Sequence, residues 1–404
     1  MKYIYLDNAA TTKIDKEVLK EMMPYLTTEY GNPGSMHSLG LKAKNAVENA
    51  RKRVAKVLNC SPKEVIFTGS GTESDNMAIL GYARKNKNKG NHIITTPIEH
   101  HAVMDGFKQL KKEDFKVTVL DVDRDGFINL EQLKKIITEK TLLVSIIYAN
   151  NEIGTIQDIE KISKICKEKN VVFHTDACQA AGYLDLDVKR LGIDMMTLNG
   201  SKIYGPKGVG VLYLKKGIKI QPIVFGGGQE SGLRSGTENV ANIVGFAKAL
   251  ELVEEHKEKE SRRIKKLRDK LIDNLLKLPN TRLNGDREKR LPNNVNISFL
   301  NIEGESVILM LNELRICVST GSACTSADLE PSHVIVSLNL PHEVGHSSIR
   351  MSLGKYNTEE EIDYVLEKIR SIVEKLRKMS PLTYTMKEAE AKGRTPKEEI
   401  GEHH

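Results

Sequence analysis

Three residues of this 404-residue chain stand in surroundings suited to chemistry: a lysine, an aspartate and a cysteine. Lys202 lies in Leu198-Asn199-Gly200-Ser201-Lys202-Ile203-Tyr204-Gly205-Pro206-Lys207-Gly208, and the apolar run at 209–214 then reads as a strand. A lysine on such a glycine-rich loop holds a phosphate as a point charge or, with a lowered pKa, forms a Schiff base with an aldehyde. Taken alone it reads more readily as an ordinary surface lysine. Asp176 closes the run Val171-Val172-Phe173-His174-Thr175-Asp176. The carboxyl edge of a parallel strand is where open α/β sheets bind ligands, although a strand-end aspartate equally reads as a turn or helix cap. Cys324 stands in Ser319-Thr320-Gly321-Ser322-Ala323-Cys324-Thr325-Ser326-Ala327-Asp328, a composition that favours exposure and reactivity over a core position. Cys317, inside an apolar run, reads as a buried structural thiol.

A phosphate site is the next requirement. Thr68-Gly69-Ser70-Gly71-Thr72-Glu73 follows a strand and opens a helix, where backbone N–H groups and the helix dipole favour an anion. It is neither the full dinucleotide fingerprint nor the Walker pattern, and by itself it is also an ordinary capped helix start. A lysine after one strand and an aspartate at the end of the preceding one suit pyridoxal phosphate. The lysine holds the aldehyde, and the aspartate keeps the pyridine nitrogen protonated so that the ring accepts carbanion electrons. Asp121-Val122-Asp123-Arg124-Asp125-Gly126-Phe127-Ile128 imitates the start of a calcium loop. Its twelfth position is Gln132 rather than a glutamate and a strand leads in, so it reads as an acidic turn.

These residues need a frame. Helical periodicity covers 15–30 and 38–59, with Gly31-Asn32-Pro33-Gly34 breaking the chain between them. Strands at 65–68, 92–95, 116–120, 142–147 and 171–174 then alternate with helices, which points to an α/β fold with a mainly parallel sheet covered on both faces. A long charged helix over 238–278 carries the chain out of that layer. Strands at 294–299 and 316–319 and a helix at 358–378 make a smaller α+β unit. The expected division is a large domain over 14–255, a small domain from 1–13 and 256–382, and a polar tail over 383–404.

Composition narrows the class. Apolar residues at 39% and charged residues at 28% describe a globular chain, and the net charge of +7 comes largely from mixed-sign helices. Direct nucleic-acid binding is not expected. No apolar run approaches the roughly 20 residues of a membrane span, and the amino terminus lacks the apolar core of a signal peptide. The five cysteines are scattered without a CxxC pair. A reducing, cytoplasmic setting is expected.

With these residues in place the chain closely resembles the cysteine desulfurases of the NifS/IscS type. The likeness runs in order over about residues 3–382. It starts at Tyr5-Leu6-Asp7-Asn8-Ala9-Ala10-Thr11-Thr12, Gly31-Asn32-Pro33, Thr72-Glu73-Ser74-Asp75-Asn76 and Glu99-His100. It continues through Asn150-Asn151-Glu152-Ile153-Gly154, Asp176-Ala177-Cys178-Gln179, the Lys202 loop, Arg234-Ser235-Gly236-Thr237, Gly321-Ser322-Ala323-Cys324 and Ser348-Ile349-Arg350. The resemblance implies fold type I of the pyridoxal-phosphate transferases, a homodimer, and conversion of L-cysteine to L-alanine with sulfur leaving as a persulfide. Lys202 is then the Schiff-base lysine and base, Asp176 the partner of the pyridine nitrogen, and Gln179 that of the ring oxygen. His100 stacks on the ring and acts as acid/base, and Asn151 helps to place the ring. Gly71, Thr72, Asn199 and Ser201 form the phosphate cup, with Thr237 entering from the partner subunit. Arg350, helped by Asn32 and Asn151, holds the substrate carboxylate, and Cys324 attacks the sulfur.

The resemblance further implies acceptor proteins such as an IscU/NifU-like scaffold, serving iron–sulfur assembly or tRNA thiolation. It places no metal at the cofactor site and allows Cys324 as a transient cluster ligand. A selenocysteine-lyase-like enzyme and a degenerate scaffold homologue are the alternatives. One departure bears on the cup: the family's usual serine and histidine are here Asn199 and Ser201. Both can hydrogen-bond, so cofactor binding with an altered phosphate cup is expected.

Overall fold

The computed structural model describes residues 3–320 and 331–391. Twelve strands occur among them: β1 (Ile4–Tyr5), β2 (Val65–Thr68), β3 (His92–Thr95), β4 (Lys116–Val119), β5 (Thr141–Ser145), β6 (Val172–Asp176), β7 (Met195–Asn199), β8 (Gly210–Leu214), β9 (Thr281–Leu283), β10 (Asn294–Phe299), β11 (Ile316–Cys317) and β12 (Ser348–Ser352). Seven form one sheet in the order β2-β8-β7-β6-β5-β3-β4. Only β8 runs against its neighbours. The other contacts are parallel. β2, β3 and β5 through β8 are almost wholly buried, which is why they read as unbroken apolar runs rather than as alternating ones.

The expected strand over 142–147 stops at Ser145, because Ile147 turns its N–H to a side chain of the cavity instead of the sheet. The strand expected to end at Asp176 does so, running over Val172–Asp176. β4, at the sheet edge, is partly exposed. After it the acidic turn forms as read: Asp123 Oδ1 accepts the N–H groups of Asp125 and Phe127, both at 2.9 Å.

Helix Val240–Leu275 spans 36 residues and touches two cores. Its residues 240–250 pack with the seven-stranded sheet, and its residues 264–275 with the three-stranded sheet β12-β10-β9. No residue of 251–263 is buried. The chain start belongs with the second core. β1 pairs in parallel with β11, Ile4 opposite Ile316, and Leu6 is buried there. Residues 7–12 then cross to the Lys202 turn, so the amino terminus ties the two units together.

Helix Glu359–Met379 closes the smaller unit, with Thr358 and Glu361 forming a capping box. The polar tail begins docked rather than frayed: Tyr384 and Asn301 exchange two hydrogen bonds, at 2.8 and 3.1 Å. No described helix is long and apolar enough to cross a membrane.

Candidate active site

The carboxyl ends of β5, β6 and β7 and the start of helix Gly71–Asn76 surround a cavity of about 260 Å³. Its walls bring together most of the expected residues: Gly71, Thr72, His100, Asn151, Asp176, Gln179, Asn199, Lys202 and Arg350.

Lys202 ends a single 3₁₀ turn, Gly200–Lys202, directly after β7. Asn199 caps that turn, its Oδ1 accepting both the N–H and the hydroxyl of Ser201 at 3.1 Å. Gly200 is required by crowding, since a Cβ there would lie 2.8 Å from Pro206 O and 2.9 Å from a Val209 methyl. Residues 10–12 clasp the turn. Thr12 N–H and Oγ1 both donate to Ser201 O, at 2.8 and 2.9 Å, and Tyr204 N–H donates to Thr12 Oγ1 at 2.7 Å. Lys202 Nζ donates to the carbonyl of Ala10.

Ser201 itself is absent from the cavity wall, its hydroxyl being spent on Asn199. That bond fixes the orientation of the Asn199 amide, leaving Nδ2 on the cavity side, 3.4 Å from where a Gly71 Cβ would stand. The family's departure thus resolves into one amide donor held by one serine.

Gly71 opens its helix after the Ser70 cap, whose Oγ accepts Glu73 N–H at 3.1 Å. A Cβ on Gly71 would lie 2.8 Å from Cys178 Sγ and 3.3 Å from Asn199 Cβ. Glycine is therefore required at this helix start, where a side chain would push on Cys178 and Asn199. Gly71→Ala is expected to fold, with Tm lowered by a few degrees, and to lose at least ~10-fold in affinity for a phosphate-bearing ligand, as the added methyl displaces Asn199. Thermal melts and ligand titration check it, and unchanged affinity would contradict this placement of the cup.

Asp176 ends β6 and accepts Cys178 N–H on Oδ1 at 2.9 Å. Beneath it, His174 is fully buried between the hydroxyls of Ser145 (2.8 Å) and Thr197 (3.1 Å). Burial brings its pKa down to about 4, so the ring is neutral. Asp75 Oδ1 stands 3.6 Å from His174 Nε2 and is buried without a hydrogen bond. Burial, and then the neighbouring Asp176, hold the Asp75 carboxyl well above the ordinary range.

His100 caps helix His101–Lys112 through Nδ1, which accepts Ala102 N–H at 3.1 Å. In the neutral ring the proton is therefore on Nε2. Asn151 rides on a turn fastened from several sides. Asn150 Oδ1 accepts from Glu152 and Ile153, its Nδ2 donates to Ile98 O at 2.7 Å, and the buried Arg290 donates to Ile153 O at 2.8 Å. Gln179 Nε2 donates to Ala9 O at 2.9 Å. Arg350, on β12, reaches across from the smaller unit to Asp7 at 2.8 Å and Asn151 O at 3.3 Å.

Besides Ser201, three expected residues are not in this wall. Asn32 and Thr237 are exposed elsewhere on the chain, and Cys324 lies outside the described residues. The other four cysteines are poor nucleophiles. Burial pushes Cys60 and Cys166 up to about 12, and raises Cys178 and Cys317 as well. Sequence reasoning assigned no role to Asp75, Glu99, Glu152, His101 or His333, all in the wall. Glu99, Asp75 and Glu152 sit inside motifs already marked by the resemblance, which was the one available signal. Their burial is a tertiary property.

Among the described residues no group of His, Cys, Asp and Glu has the arrangement of a metal site. The wall does fit a phosphorylated pyridine aldehyde. It offers a Cβ-free helix start for the phosphate, a strand-end carboxylate for the ring nitrogen, and a primary amine for the aldehyde.

Residues 4–365 match the family model described as aminotransferase class-V. The cysteine desulfurase IscS of Clostridium botulinum is 53% identical over 384 residues, covering 94% of this chain and 97% of the relative. A solved NifS-like protein superposes with a TM-score of 0.88 at 42% identity, covering 92% of this chain and all of its own. SspA in complex with cysteine superposes at 0.77 with 34% identity, covering 88% of this chain and all of its own. The chain belongs to the class-V aminotransferase family, with the seven-stranded sheet of fold type I. Within that family it is a cysteine desulfurase of the NifS/IscS type.

Proposed function

We propose that this cavity binds pyridoxal 5′-phosphate and L-cysteine, and that the sulfur leaves on Cys324. The observation that carries the reading is the convergence on one cavity of Lys202, Asp176, His100 and the helix start at Gly71, contributed by four separate elements. When bound, the cofactor supplies an electron sink for charge at the substrate's Cα and Cβ.

The protein's part is placement. Lys202 Nζ, held beside the Ala10 carbonyl, takes the Cα proton. The Asp176 carboxylate would partner the pyridine nitrogen and keep it protonated. Gln179 and Asn151 provide amide groups at the ring edge. His100 would stack on the ring and serve as acid/base toward the substrate sulfur. Backbone N–H groups at 71–72, Thr72 and Asn199 Nδ2 receive the phosphate, with Ser201 locking Asn199 rather than touching the cofactor. The planar fork of Arg350 suits the substrate carboxylate, with Asn32 assisting.

Cys324 then accepts sulfur. Its thiolate forms the new S–S bond as Cβ–S breaks, the electron pair stays with carbon, and a proton taken up there leaves alanine. The raised thiols of the four described cysteines support this choice. So does the small, polar sequence around Cys324, which suits a thiol that must meet both the cavity and an outside acceptor.

The reading includes a cytoplasmic homodimer that passes sulfur to an IscU/NifU-like scaffold or another acceptor, for cluster assembly or tRNA thiolation. Two features support the dimer. Thr237 is exposed and does not line its own cavity, as expected of a residue serving a partner's cup. Leu19, Met23 and Leu26 line one face of helix Lys16–Thr27 in the open, with Tyr30 and Met36 exposed just beyond. The small domain is assigned to residues 1–13 and 256–382, which supply most of the second core, while Val334, Ile335, Leu338, Leu340 and Val344 pack into the first.

Incubation with L-cysteine tests the whole proposal: alanine should form in step with a persulfide mapped to Cys324 by mass spectrometry. Absence of alanine from cofactor-supplemented protein would overturn it. For the altered cup, Asn199→Ala should weaken cofactor affinity about 10- to 100-fold, the scale of one hydrogen bond to a charged group. Ser201→Ala should cost only about 3-fold, because it merely frees the amide. Equal losses in the two titrations would mean that Ser201 contacts the phosphate directly.

A further inference from the structure

Glu99 lies in the turn between β3 and helix His101–Lys112, lines the cavity and is fully buried. Its Oε1 accepts twice, from Thr96 Oγ1–H at 2.6 Å and from Ile147 N–H at 2.9 Å. Its Oε2 is equally buried and has no hydrogen-bond partner. The reaction described above does not use it.

The groups around it make ionisation costly. Asp176 on β6 and Asp75 on helix Gly71–Asn76 are both acids, and Glu152 on the neighbouring turn is a third. His100 and His101 begin the helix that follows. His333 hydrogen-bonds through Nε2 to the backbone carbonyl of Glu99 at 3.0 Å, not to its carboxyl. Of the cavity's cations, Lys202 bonds Ala10 O and Arg350 pairs with Asp7. A buried carboxyl among acids and without a cation takes up a proton rather than hold a charge. With two donors already on Oε1, the proton belongs on Oε2.

We propose that Glu99 is a neutral carboxylic acid whose Oε2–H donates a hydrogen bond to an acceptor oxygen of the ligand filling this cavity, a binding contact additional to those of Asp176, Gln179 and Asn151. The identity of that ligand as pyridoxal phosphate rests on the function proposed above. The protonation of Glu99 does not. Burial first, and then the charge of Asp176, push the carboxyl up to about 8, against the two hydrogen bonds that lower it. The donor is therefore present at neutral pH and is lost as pH rises through about 8. Because the folded-state value exceeds the ordinary one of 4.5, the folded protein keeps a proton that the unfolded chain has released. Glu99 thus makes stability fall as pH rises across that window, and level off above it.

Two substitutions separate the possibilities. Glu99→Gln keeps the size and an N–H donor but cannot ionise, and Glu99→Met removes the donor. Infrared difference spectra of cofactor-free wild type against E99Q at pH 7 should show a protonated-carboxyl band, over any that Asp75 contributes to both, that fades as pH rises through about 8. In fluorescence titrations with pyridoxal phosphate, wild-type affinity should fall about 10-fold more than that of E99Q between pH 7 and pH 9, roughly one lost hydrogen bond. E99M should bind about 10-fold more weakly than wild type at pH 7. Matching pH profiles for wild type and E99Q, or wild-type affinity in E99M, overturn the donor role. If wild type takes up no pyridoxal phosphate, the cofactor reading fails, and the infrared band decides the protonation alone: a spectrum at pH 7 identical to that of E99Q overturns it.

Discussion

Lys202→Ala is expected to lower turnover of L-cysteine by roughly 10³-fold or more, because one side chain is asked both to hold the cofactor and to move the Cα proton. The surrounding structure argues that the loss will be chemical rather than structural. The turn is held by Asn199, Thr12 and Gly200 through backbone and side-chain contacts that do not involve the lysine amine. The variant should therefore melt close to wild type. Borohydride reduction of the loaded wild type should fix pyridoxal phosphate on the peptide containing Lys202, and on no peptide of the variant. Residual activity above about a tenth of wild type, or label on Lys207 instead, would remove Lys202 from its assigned place.

Cys324→Ala should bring persulfide formation and sulfide release to background while leaving the cofactor's absorbance, and the spectral change on adding L-cysteine, as in wild type. Cavity and thiol then separate cleanly, since no other cysteine is suited to take over. Cys178, which lines the cavity, lies against Gly71 with its thiol raised by burial and by the carboxyls of Asp176 and Asp75. Cys317 is half-buried in β11, raised by burial and Asp7. Full sulfur transfer in the variant would mean that another nucleophile, or free thiol in solution, takes the sulfur.

Most of the frame was legible because its signals are local. Apolar four- and five-residue runs between turn residues gave the buried parallel strands, and 3.6-residue periodicity gave the helices around them. Boundaries were less legible where a backbone group is claimed by a side chain from afar. β5 stops short because Ile147 N–H goes to Glu99, a bond between residues 48 positions apart. The docking of the tail on Asn301 was hidden for the same reason.

The sequence by itself determined the chemistry available: an amine on a tight turn, a carboxylate at a strand end, a glycine opening a helix, and a thiol among small residues. Each is fixed by residue type and by neighbours a few positions away. Only the tertiary structure decided how those groups behave. It set Asp75 against a neutral His174, raised four thiols, and enclosed Glu99 without a cation. Solvation and counter-charge are set by everything that packs around a group, and the chain brings those neighbours from up to hundreds of positions away.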